Sequence, residues 1–300
     1  MNVGFVGLGA MGAAMASNLS ARAFLKTVWN RTPEKATELA AQLGCEAAAS
    51  LADLARQCDV VVSCVSADAD VLSVVDGLLA TLRPQSLLID CSTISASAAR
   101  IAAQRLAQAG SEFLDAPVSG GVEGARDATL AIMVGGKQEV FERALPVLQA
   151  MGRTITHFGA TGAGQAAKAT NQIMCAGVIQ AVAEAMAFAK AEGLPLDKLI
   201  ETLGKGAGSS WYFVHRAPNI LRDSYPPGFR VRLHEKDLRI CREMAAGYGV
   251  QLPLIEMTLL HYRKLIEQGH ADEDISTLFR LKDALFKDAE QQREHRDARS

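Results

Sequence analysis

Short apolar, β-branched runs alternate with longer stretches of helical spacing from the first residues to about Phe158. Residues 3–6, 27–30, 59–65, 86–91, 113–116, 130–134 and 154–158 read as strands, because each is a brief run of Val, Ile, Leu, Phe or Thr bounded by polar or Gly residues. The Ala-rich stretches between them have readable helix starts. Thr32-Pro33-Glu34 offers an N-cap, a Pro in the first turn and an early acid, and Ser50 with Asp53 resembles a capping box. Strand, helix and strand in succession predict a parallel sheet with helices on both faces.

Past Gly162 the strand pattern disappears. Residues 164–192 read as one long helix, rich in Ala and free of Pro, which Gly193 ends before Pro195 opens the next. Further helices are predicted over 235–248 and 253–268. The polar segment 287–300 reads as a helix continuation that frays. The spacing therefore predicts an α/β domain over 1–161 and an all-α domain over 162–300.

A chain of 300 residues, 49% hydrophobic and 21% charged, can bury a sizeable core in two domains. Its net charge of −2 offers no footprint for nucleic acid. The apolar strand runs are far shorter than the ~20 residues of a membrane span. The chain opens directly into "NVGFVGLG", which leaves no room for a signal peptide and predicts a cytoplasmic protein. Cys45, Cys58, Cys64, Cys91, Cys175 and Cys241 lack metal-ligand spacing and read as reduced thiols. No metal site is expected.

Three stretches carry candidate chemistry. In "FVGLGAMG", Gly7-x-Gly9-x-x-Gly12 follows the first strand and opens a helix, so Gly7, Leu8, Gly9, Ala10, Met11 and Gly12 form a candidate dinucleotide turn. Such a triplet alone is unspecific, but the strand–helix–strand context is the one a nucleotide fold requires. The second strand ends in Asn30-Arg31-Thr32 rather than in an acid. A guanidinium there suits a 2′-phosphate and favours NADP over NAD; the alternative is a solvated loop arginine.

The second stretch, "DAPVSGGVEGA", follows the strand at 113–116. Ser119, Gly120 and Gly121 bring a hydroxyl and flexible backbone N–H groups together, as an anion seat or as an ordinary Gly-rich turn. The third is "GAGQAAKATNQ". Lys168 is predicted early in the long helix with Asn171 on the same face, and the next charged residue is Glu184. A run without charges implies burial, and a buried lysine must be paired or lose its proton.

With these motifs in order, the sequence resembles the β-hydroxyacid dehydrogenase family, which includes 3-hydroxyisobutyrate dehydrogenase, tartronate semialdehyde reductase and the glyoxylate/succinic semialdehyde reductases. The resemblance rests on "FVGLGAMGAAMASNL" from Phe5, "DCSTI" from Asp90, "DAPVSGG" from Asp115, "GAGQAAKATNQ" from Gly162 and "KDL" from Lys236. It implies a Rossmann-type doubly wound sheet domain followed by an all-α domain that begins with a long interdomain helix, and assembly into homodimers or homotetramers. It makes Lys168 the catalytic residue and Asn171 its substrate-positioning partner. Ser119, Gly120 and Gly121 become the carboxylate seat, and Val65, Thr93 and Lys236 cofactor contacts, with Asp237 orienting Lys236; Trp211 and Phe229 are candidate substrate-binding residues outside these motifs.

The implied reaction is NADP-dependent interconversion of a small β-hydroxyacid and its semialdehyde, or reduction of glyoxylate or succinic semialdehyde. The alternatives are an NAD-dependent 3-hydroxyisobutyrate or L-serine dehydrogenase and a non-catalytic NADP-binding interaction protein. Imine reductases share the architecture but lack the lysine. "GSSWYF" from Gly208 is unlike the Asn-Pro-Met segment of plant-type glyoxylate reductases, so Trp211 and Phe213 are expected to shape a different pocket, which leaves the substrate open. His234, close to Lys236, reads as a structural histidine or as a cofactor neighbour.

Overall fold

The computed structural model describes the backbone of residues 1–297 and the side chains of residues 1–289. The chain divides into two compact units, Met1–Lys168 and Ala169–Ser300.

The first unit runs β1 (Val3–Val6), α1 (Ala10–Ala21), β2 (Leu25–Trp29), α2 (Pro33–Leu43), β3 (Glu46–Ala47), α3 (Leu51–Gln57), β4 (Val60–Ser63), α4 (Asp68–Leu79), β5 (Leu87–Asp90), α5 (Ala96–Gln108), β6 (Glu112–Asp115), β7 (Val118–Ser119), α6 (Gly121–Arg126), β8 (Leu130–Gly135), α7 (Gln138–Leu148) and β9 (Gly152–Gly159). The strands form one nine-stranded sheet in the order β3-β2-β1-β4-β5-β6-β8-β7, with β9 paired to β8. β1, β4 and β5 are buried at every position, as strands covered by helices on both faces must be. Val3 and Phe5 pack with Met15, Leu19 and Val140 on one face, while Val6, Val61 and Leu88 pack with Leu54, Val75 and Leu106 on the other.

The sheet is parallel from β3 to β6, but β8 runs antiparallel to both β6 and β7. A parallel return requires a crossover of about a dozen residues or more. α6 is a helix of 6 residues, and the chain instead turns back through Gly120 and Gly121, both at positive φ. β3 and β7, each of 2 residues, carry too little pattern to be expected from sequence. Ser50 caps α3 as its spacing suggests, accepting from Asp53 N–H at 3.1 Å, whereas Thr32 makes no side-chain cap bond to α2.

α8 (Ala163–Ala191) follows, and residues 163–168 at its start group with the sheet unit. This differs from a boundary at 161/162 because the first turn of α8 lies against the sheet. A Cβ on Gly164 would stand 2.4 Å from Met133 O and 2.6 Å from Asp115 O. The second unit adds α9 (Leu196–Leu203), α10 (Trp211–Leu221), α11 (Val231–Ala246), α12 (Pro253–Glu267), a 3-10 turn (Ile275–Leu278) and α13 (Phe279–Asp297). α11 starts four residues ahead of its expected position, at the fully buried Val231. α13 continues through the expected tail as far as Asp297, and residues 298–300 of that tail lie outside the described residues.

By length and composition α8 could cross a membrane, yet half of its apolar window is buried. Its faces supply the core of the second unit: Ala176, Ile179 and Ala183 pack with Leu238, Leu259 and Tyr262, and Val182 and Met186 pack with Phe213 and Ala217.

Gly164→Ala should force the α8 start off the sheet, because the atoms in the way are backbone. We expect a loss of about 1–3 kcal/mol in denaturant unfolding. A change within about 0.5 kcal/mol, the usual surface value, would contradict the tight docking.

Candidate active site

The Gly-rich turn joins β1 to α1 in the first unit. Gly7 has φ +93°, and a Cβ there would meet Cys64 O at 2.3 Å. A Cβ on Gly12 would sit 1.9 Å from Gly7 O, so helix and turn close on each other only without side chains. Gly9 differs from both: no atom lies within 4 Å of where its Cβ would stand. That opening is the approach a pyrophosphate needs, with Ala10, Met11 and Gly12 presenting the first N–H groups of a helix that has no acid in its first turn. The turn fits a dinucleotide.

The end of β2 fixes this turn. Asn30 Oδ1 accepts from Leu8 N–H at 2.9 Å, and Asn30 Nδ2 donates to Thr32 O at 3.0 Å. Arg31 is 83% exposed along its side chain and pairs with Asp70 at 3.0 Å. Asn30 is therefore used structurally, and Arg31 is the one of the pair turned to solvent.

Two buried carboxylates lie side by side at the C-terminal ends of β5 and β6, where Asp90 pairs in register with Asp115. Asp90 Oδ1 accepts from Ser63 Oγ at 2.8 Å and Ser92 Oγ at 2.7 Å, and Ser92 Oγ accepts from Val65 N–H at 2.8 Å. Asp90 Oδ2 is buried without a partner. Burial pushes the Asp90 carboxyl up to about 7, with the Asp115 charge adding to the effect and the serine donors opposing it. Asp115 Oδ1 accepts from Gly162 N–H at 2.8 Å and Oδ2 from Gln165 N–H at 2.9 Å, which makes this carboxylate the N-terminal anchor of α8. Burial raises Asp115 as well, against those N–H donors.

Lys168 follows in the second turn of α8 and is only 7% exposed, as the uncharged run implies. The turn 119–121 has Ser119 at the end of β7 and Gly120 and Gly121 at φ +133° and +65°. Their N–H groups are thus carried on backbone that L side chains rarely adopt. Glu123, in the first turn of α6, brings a carboxylate to these N–H groups, its Oε2 lying 3.1 Å from where a Gly121 Cβ would stand.

In the second unit, Asn171 Nδ2 donates to Gln172 Oε1 at 2.8 Å, and Gln172 Nε2 donates to Asp237 Oδ2 at 2.7 Å. Asp237 Oδ1 holds Lys236 Nζ at 2.9 Å. His234 is fully buried, bonded to Tyr262 OH at 2.9 Å and facing the Phe229 ring at 5.2 Å, which is a structural placement. Phe229 N–H donates to the buried Asp274 at 2.9 Å. Trp211 is exposed at the start of α10 and stacks on His215 at 4.3 Å. Among the described residues, no cluster of His, Cys, Asp and Glu could hold a metal ion.

Sequence reasoning missed Asp90, Asp115 and Gln165. Each of the two acids closes a strand run that is otherwise apolar, where a solvated residue is usual, so no local signal marked them as buried.

A turn shaped for a dinucleotide's phosphates, at the first crossover of a doubly wound sheet, places the chain among NAD(P)-dependent dehydrogenases. Comparison with known proteins agrees. The sequence family described as the NAD binding domain of 6-phosphogluconate dehydrogenase matches residues 2–159, and that described as the NAD-binding of NADP-dependent 3-hydroxyisobutyrate dehydrogenase matches 162–282. The NAD-dependent L-serine dehydrogenase of Pseudomonas aeruginosa is 38% identical over 291 residues, 94% of this chain and 97% of the relative. The 3-hydroxyisobutyrate dehydrogenase of the same organism is 36% identical over 292 residues, 93% of this chain and 98% of the relative. The solved structure of Mycobacterium tuberculosis 3-hydroxyisobutyrate dehydrogenase with L-serine has a TM-score of 0.85 at 36% identity, covering 93% of this chain and 98% of that one. The chain belongs to the β-hydroxyacid dehydrogenase family.

Asp90 makes the stability of the fold depend on pH. Its folded carboxyl keeps the proton up to about 7, whereas the unfolded carboxyl releases it near the ordinary value of 3.8. The folded state therefore binds more protons in that window, so stability falls as pH rises through it and the loss is complete above about 7. Between pH 5 and 8.5 the wild type should lose more unfolding free energy than Asp90→Asn. Equal pH dependence of the two proteins would show that the Asp90 proton does not contribute.

Proposed function

We propose that the chain interconverts a small β-hydroxyacid and its semialdehyde with NADP, or reduces glyoxylate or succinic semialdehyde by the same chemistry, with Lys168 as general acid and base. The observation that carries this reading is the burial of Lys168 in the second turn of α8, with no further charge along the helix until Glu184. An ammonium is costly to bury, and a lysine held there is suited to moving a proton.

In reduction, Lys168 donates a proton to the substrate's carbonyl oxygen and offsets the charge that develops there; in oxidation its neutral amine takes the hydroxyl proton. The turn at Ser119, Gly120 and Gly121 holds the substrate carboxylate through backbone N–H groups and the serine hydroxyl. Asn171, three residues beyond Lys168 on the same helix, orients the substrate with its amide, and Trp211 and Phe229 shape the pocket. The bound nicotinamide supplies or accepts the hydride. The Gly7–Gly12 turn and Asn30 seat its phosphates and adenosine, Arg31 and Thr32 favour a 2′-phosphate, and Val65, Thr93 and Lys236 contact it further along.

A second reading, NAD-dependent oxidation of L-serine or 3-hydroxyisobutyrate, is favoured by the ion pair of Arg31 with Asp70, which already balances the guanidinium charge that a 2′-phosphate would need. On either reading the chain works in the cytoplasm as a homodimer or homotetramer. Exposed Met174 and Phe188 on α8 and Leu285 on α13 support assembly, which light scattering in solution reads directly.

Lys168→Ala tests the role. Turnover should fall about 100- to 10,000-fold while NADP binding, followed by fluorescence, is retained. Turnover within about threefold of wild type would remove Lys168 from the chemistry, since general acid/base help is larger than that.

A further inference from the structure

Gln165 stands one helical turn before Lys168 and is only 2% exposed. Both ends of its side-chain amide are bonded. Oε1 accepts from Ile94 N–H at 3.1 Å, and Nε2 donates to Ser92 O at 2.8 Å. These two backbone groups flank Thr93, so the amide brackets that residue as a neighbouring strand would, with one donor and one acceptor in one plane. The main-chain N–H of Gln165 meanwhile donates to Asp115 Oδ2 at 2.9 Å. A single residue thus ties three things together: the end of β6, the loop after β5 and the start of α8.

The loop is held from its other side too. Ser92 Oγ donates to Asp90 and accepts from Val65 N–H, which leaves the 92–94 backbone little freedom. The α8 start is fixed by Asp115 and by the close approach of Gly164 to the sheet. A rotation of the helix start that shifted Lys168 would break both bonds of the Gln165 amide. Few side chains can replace it. Glu keeps an acceptor for Ile94 but sets a carboxylate oxygen against Ser92 O, and Met keeps the length while losing both bonds.

The geometry points to Gln165 as a positioning residue, which fixes the Thr93 loop against the helix turn that bears Lys168 and so sets the alignment of cofactor and proton donor. This rests on the proposed roles of Lys168 and Thr93, and adds a residue that acts only through them. Dinucleotide affinity should depend mainly on the Gly-rich turn, far along the cofactor from this loop, so the hydride step is where misalignment is felt.

Three measurements on full-length Gln165→Met, with Gln165→Glu as a second variant, test this. Amide hydrogen exchange at Ile94 should accelerate about tenfold or more in Gln165→Met, reporting the broken link without any turnover. NADP affinity should stay within about fivefold of wild type, because the phosphate contacts remain. The kcat with the best substrate of the wild type should fall about 10- to 100-fold, the usual cost of a misplacement near 1 Å, and Gln165→Glu should fall between. Unchanged Ile94 exchange overturns the link itself. Accelerated exchange with kcat within about twofold of wild type overturns its role in alignment, as does a loss of kcat matched by an equal loss of NADP affinity. If Gln165→Met does not fold, a wild-type kcat in Gln165→Glu overturns the inference. Lys168→Ala in the same series separates the two claims: if it keeps its turnover, the lysine mechanism fails while the Ile94 exchange still reads the Gln165 link.

Discussion

The carboxylate of Asp115 receives the start of α8. It is fully buried at the end of β6, and both of its oxygens are taken by main-chain N–H groups of the incoming helix. A charge so placed gains from the helix's positive end and from hydrogen bonds to an ion, and it is expensive to leave unpaired. The helix start therefore has one position. Lys168, in the second turn of α8, inherits that position, and the Gly residues around the anchor follow from it. A Cβ on Gly135 would lie 2.5 Å from Asp115 Oδ1, and one on Gly164 would strike the strand backbone.

Steric logic of the same kind shapes the other end of the sheet. Gly7 and Gly12 leave no room for a side chain because turn, helix and the β4 terminus press on one another, while Gly9 leaves room because it faces outward. One triplet of glycines thus serves close packing at two positions and ligand approach at the third. Asn30 completes the arrangement by bonding the turn from the end of β2, so the Gly-rich turn and the end of β2 are mechanically one piece.

Much of this was legible in the chain. The strand–Gly-rich turn–helix sequence, the Ser50 cap, the long helix and the burial of Lys168 all follow from local patterns: an apolar run, a small residue at a fixed offset, a span without charge. What was not legible depends on partners distant in sequence. β3 has an exposed Glu46-Ala47 pair with no alternation to detect, and the reversal of β8 is decided by a turn rather than by the strand's own residues. Asp90 and Asp115 look like solvated acids at strand ends until the sheet register puts them side by side under the helix start. Gln165 reads as one more polar position on a helix, because the groups it bonds lie in a loop more than seventy residues earlier.

The chemistry assigned to Lys168 requires a carbonyl to protonate and a carboxylate to hold, and the residues at the end of β2 require a preference between cofactors. Both requirements meet in the consumption of NADPH and NADH against glyoxylate, succinic semialdehyde, tartronate semialdehyde and methylmalonate semialdehyde. The account predicts turnover of at least one of these acids, faster with NADPH than with NADH. Turnover with NADH alone would contradict the cofactor assignment at Arg31, and no turnover of any of them with either cofactor would contradict the proposed semialdehyde reduction.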